Sequence, residues 1–61
     1  MNMNQKQRQC NDAMAKAFSS LRGKNLPDDW IADVGVIIYQ FHYPKAPKDL
    51  AMERSTSLLN N

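Results

Sequence analysis

Two side chains of this chain could form a nucleophile–base pair: Cys10, its single cysteine, and His42, its single histidine. A nucleophilic thiol needs a lowered pKa and a base held beside it. Cys10 falls instead on the apolar stripe of a helix, where cysteine acts as a small hydrophobe, and no neighbour is marked as orienting His42. The histidine has a sufficient role at the C-terminal end of a second helix, where its charged form is favoured by the dipole. Asp28, Asp29 and Asp33 superficially form a carboxylate cluster. At a helix start they act on the positive end of the dipole, and the remaining ligands of a Ca²⁺ loop are missing. One Cys and one His also cannot complete a tetrahedral zinc site, and a lone cysteine forms no internal disulfide. We read the chain as non-enzymatic, with no cofactor and no metal.

The elements that carry these residues follow from periodicity. The first helix spans about residues 4–22. Cys10, Met14, Ala17, Phe18 and Leu21 recur at i, i+4, i+7, i+8 and i+11, one face of a 3.6-residue repeat. Gly23 is suited to end it in a left-handed conformation. The second helix, about 27–42, starts at Pro27, which fits the first helical position, and must stop before Pro44. The third, about 47–57, opens at Pro47. Its stripe is poor, because Leu50 and Leu58 share a side with Arg54 and Ser57, so it is expected to pack weakly or fray. The terminal Asn60-Asn61 is expected to be disordered.

The stretch Trp30–Tyr43, WIADVGVIIYQFHY, is the most apolar of the chain. As a helix it places Trp30, Ile31, Val34, Ile37, Ile38 and Phe41 on one continuous stripe, expected to face the first helix. Ala32, Val36 and Tyr39 lie on roughly the opposite side. A strand over VGVIIYQF is the rival, since the segment is rich in β-branched and aromatic residues. Helical start signals, and the lack of a second strand to pair with, favour helix.

The fold expected is therefore all-α: residues 1–61 as a single small domain, an antiparallel helical hairpin with a short third helix across it. The Gly23–Leu26 connection is short enough to make helices 1 and 2 antiparallel neighbours. A domain of 61 residues buries only ~60% of the surface its unfolded chain exposes. Domains this small need a disulfide, a metal or association with another chain. With the first two unavailable and a helix apolar on two faces, a dimer is expected.

Functionally this points to a small regulatory or inhibitory protein that docks an apolar helix face on a larger protein, alone or as a homodimer. The candidate interface is Trp30, Val36, Tyr39 and Tyr43, with Trp30 alternatively anchoring helix 2 on helix 1. The alternative function is nucleic-acid association through helix 1. Residues 1–24 hold Lys6, Arg8, Lys16, Arg22 and Lys24 against Asp12, a balance of +4, whereas residues 25–43 carry −3. The two readings differ in salt dependence, which is steep for phosphate contacts. The N-terminus lacks an apolar signal-peptide core, and residues 30–43 are too few to cross a bilayer, which takes ~20. We therefore expect a cytoplasmic protein without membrane contact. Opening on Met1, it reads as a complete small gene product of the accessory kind that bacteria and phages encode.

Overall fold

The computed structural model describes residues 4–60, which form three α-helices: α1 (Gln5–Arg22), α2 (Asp28–His42) and α3 (Lys48–Leu59). There is no strand among the described residues, so VGVIIYQF is helical. Among these residues no helix is long and apolar enough to cross a membrane. Asn61 lies outside the described residues, whereas Asn60 closes α3 with its N–H 3.0 Å from the Thr56 carbonyl oxygen.

Each start has a local cause. Asn4 caps α1, its Oδ1 accepting from the Gln7 N–H at 2.7 Å, which satisfies one of the donors a helix start leaves open. Pro27 and Pro47 are the N-caps of α2 and α3, with extended ψ of 146° and 151°. Each therefore stands one residue before the first helical position rather than in it. Their carbonyls already accept helical bonds from Ile31 and Ala51. Asp28, Asp29 and Asp49 lie in the first turns, favoured by the dipole.

The α1–α2 turn corrects one expectation. Gly23 is right-handed (φ −63°), and the left-handed residue is Asn25 at φ 58°. Backbone bonds Lys24 N–H to Leu21 and Asn25 N–H to Arg22 tighten the exit first, so the chain reverses two residues later than expected. Asn tolerates this region better than other side-chain-bearing residues. Asn25→Ala should therefore cost about 1 kcal/mol, with Asn25→Gly close to neutral, read as the urea midpoint at constant m-value. Equal midpoints for the two variants would show that the left-handed turn carries no strain.

The core draws on all three helices: Cys10, Met14 and Phe18 of α1, Ile31 and Ala32 of α2, and Leu59 of α3. The α1 stripe lies inside as expected. Helix α3 does not fray. It is the more extensive neighbour of α2, through a ridge of Ala51, Ser55 and Leu59 at i, i+4 and i+8, all buried. Small side chains bring the backbones together. An added Cβ at Gly35 would lie 2.0 Å from Ser55 Oγ, 2.9 Å from Ser55 Cβ and 2.7 Å from Phe18 Cζ. The fully buried Ser55 hydroxyl donates to the Ala32 carbonyl at 2.7 Å, so its burial is compensated.

This packing turns α2 opposite to the expected way. Its buried residues are Ile31, Ala32, Gly35 and Val36. Of the stripe expected inside, only Ile31 is buried. Val34 and Ile38 are half-buried, while Trp30, Ile37 and Phe41 are 64%, 68% and 80% exposed. The reason is steric. The α3 ridge approaches through Gly35 and Ala32, a distance of approach that a Trp, Ile and Phe stripe would prevent.

Candidate functional site

Helix α2 presents Trp30, Val34, Ile37 and Phe41 on its outer side. Spacings of four, three and four residues put these four on one line, and an alternation of this kind is the apolar seam of a coiled coil. Leaving a large apolar side chain in water forgoes about 1.5–3 kcal/mol of burial each. Monomers rarely expose contiguous apolar patches beyond a few hundred Å². Beside the seam, Leu21, Leu26, Trp30 and Val34 wall a shallow groove of about 260 Å³, with Asp33 at its rim. At the other end Phe41 stands out, its ring 5.4 Å from the His42 imidazole and edge-on to it at 83°. His42 Nδ1 donates to the Ile38 carbonyl at 3.0 Å, so that nitrogen is engaged with its own helix.

Of the expected interface residues, only Trp30 is on this face. Val36 is 5% exposed and belongs to the interior, which corrects its assignment as a contact residue. Tyr39 and Tyr43 are half-buried and pack against the core. Their rings stack at 4.9 Å, and Lys6 Nζ lies 4.8 Å from the Tyr43 centroid, a cation–π contact that ties α1 to the end of α2. Ile37 and Phe41 were missed as surface residues because hydrophobicity alone assigned them inward. The signal available was Gly35. A helix-interior glycine costs about 0.5–1 kcal/mol relative to Ala and marks a close backbone approach, which points the core to its side of α2.

The basic residues of α1 are exposed, and two of them also make contacts within the fold. Lys6 sits over Tyr43, and the Arg22 guanidinium donates to the Leu59 carbonyl at the end of α3, so both serve the fold. Arg8, Lys16 and Lys24 are exposed.

Cys10 is 1% exposed, its Sγ 3.7 Å from Met14 Sδ. Burial pushes its thiol pKa up, away from the thiolate that nucleophilic chemistry requires. A small crevice beside it, about 160 Å³, is lined by Gln7, Asn11, Tyr39, Tyr43 and Arg54 among others. Among the described residues no group of three or more His, Cys, Asp or Glu is placed to hold a metal ion. No protein-family model, curated protein or solved structure matches this chain.

Proposed function

We propose that the chain is a small non-enzymatic interaction protein, regulatory or inhibitory in role, whose contact surface is the outer face of α2. One observation carries this reading: Trp30, Ile37 and Phe41 are all more than 60% exposed on the side opposite the core. Trp is among the residue types enriched at interface hot spots, and a helix laid on another chain by its i, i+4, i+7 anchors is a recurring recognition mode. The α1–α2 unit that presents this face is read as an antiparallel hairpin. Lys6, near the start of α1, meets Tyr43 at the end of α2, and Leu21, near the end of α1, joins Trp30 near the start of α2. We place the protein in the cytoplasm, the compartment to which a single buried thiol is suited.

A photo-crosslinking residue at position 41 tests the reading in living cells. Adducts are expected from position 41 and not from the exposed control position 16 on α1. A chain that captures nothing from position 41, while remaining helical, overturns it.

A further inference from the structure

We propose that the occupant of the α2 face is a second copy of this chain, seated two-fold symmetrically with the α2 helices antiparallel. This rests on the reading of that face as a protein-contact surface and names what covers it.

A two-fold interface must be self-complementary: what one copy offers at one place it must accept at another. The face meets that condition. Phe41 is a projecting ring at 80% exposure, and the groove of Leu21, Leu26, Trp30 and Val34 is a receptacle on the same face. Ring and groove lie eleven residues apart along α2, about 16 Å. Antiparallel pairing sets each Phe41 against the partner's groove and matches Val34 with Ile37 across the centre, so both ends are filled at once. Parallel pairing would set Phe41 on Phe41 and leave the two grooves facing each other.

Charge selects the same arrangement. All three acids of α2, Asp28, Asp29 and Asp33, lie in its N-terminal half. Parallel helices would bring six carboxylates to one level. Antiparallel pairing in this register holds Asp28 and Asp29 about 20 Å along the axis from their counterparts, beyond the ~8 Å screening length at physiological salt, and leaves only the two Asp33 carboxylates within about 8 Å along the axis. It also opposes the helix dipoles. Asp33 then approaches the partner's Gln40. That amide uses one N–H on the Ala46 carbonyl at 3.2 Å and has a second to donate.

The area is sufficient. At about 150–250 Å² per aromatic side chain, the exposed fractions of Trp30 and Phe41 from two copies supply roughly 400–700 Å². The Ile37 and Val34 side chains and the groove walls extend this toward the ~1,000 Å² expected of a specific interface.

Sedimentation equilibrium of the full chain at high micromolar concentration should give twice 7.0 kDa. Trp30 is the single tryptophan, so its emission should shift to the blue as concentration rises. Phe41→Asp should remain helical, weaken association at least ~30-fold and abolish the concentration-dependent shift. Spin labels on Asp29→Cys should lie about 20 Å apart or more, where a parallel pair would hold them near 10 Å; buried Cys10 stays unlabelled. A chain that remains at 7.0 kDa overturns the proposal. Heavier adducts from position 41 would then keep the contact-face reading and assign the face to a different protein. A dimer indifferent to Phe41→Asp, or a short label distance, equally overturns it.

Discussion

Gly35→Ala should destabilise the protein by about 2–4 kcal/mol, more than a single methyl group ordinarily costs in a packed interior. The new Cβ would stand 2.0 Å from Ser55 Oγ and 2.9 Å from Ser55 Cβ. The hydroxyl cannot swing away freely, because it donates to the Ala32 carbonyl, and the Cβ moves only with the backbone of α3. Phe18 Cζ at 2.7 Å is the end of a side chain and can give, but only into a core that Met14 and Ile31 already fill. Relief must therefore come from separating α3 from α2, which loosens the largest helix–helix contact in the fold. At about 0.05–0.15 kcal/mol per residue, a domain this size has roughly 3–9 kcal/mol in all, so the variant should lose a large share of its stability and unfold at a markedly lower urea concentration. Ser55→Ala alone should cost about 1 kcal/mol for the lost hydrogen bond. The double variant should cost less than the sum, because the nearest clash is gone. Strict additivity in urea titrations would show that Gly35 and Ser55 do not meet.

Periodicity located the helices to within two residues, and it identified the buried side of α1, where Cys10, Met14 and Phe18 stand on an otherwise polar cylinder. It fails on α2 because that helix is apolar on two faces. When both sides qualify as core, hydrophobicity cannot choose between them, and volume decides. Ala32 and Gly35 admit a neighbouring backbone, whereas Trp30 and Phe41 hold one off. The same blindness hid the role of α3. Its contact ridge is Ala51, Ser55 and Leu59, of which the first is small and the second nominally polar, so a search for large apolar residues finds only a broken stripe. The exposed apolar face was legible in kind, as an excess of apolar area on α2, but hydrophobicity put it on the opposite side of the helix from Trp30, Ile37 and Phe41.

Neighbouring residues on α2 should thus respond in opposite ways to the same charge. Val36→Asp should unfold the chain. It removes about 1.5–3 kcal/mol of apolar burial and leaves a carboxylate without a partner where Val36 is 5% exposed. A buried unpaired charge costs several kcal/mol more or forces the group to bind a proton. Together these approach the whole stability of the domain. Ile37→Asp, one residue on and 68% exposed, should change stability by no more than ~0.5 kcal/mol. The comparison is made at dilution, where association contributes nothing to stability. Far-ultraviolet circular dichroism should then show a coil for the first variant and a native helix for the second. The expectation from hydrophobicity alone is the reverse, with Ile37 inside and Val36 facing a partner. A folded Val36→Asp beside an unfolded Ile37→Asp would restore that orientation, and with it a core in which Trp30 and Phe41 are structural and an outward face formed by Val36 and Tyr39.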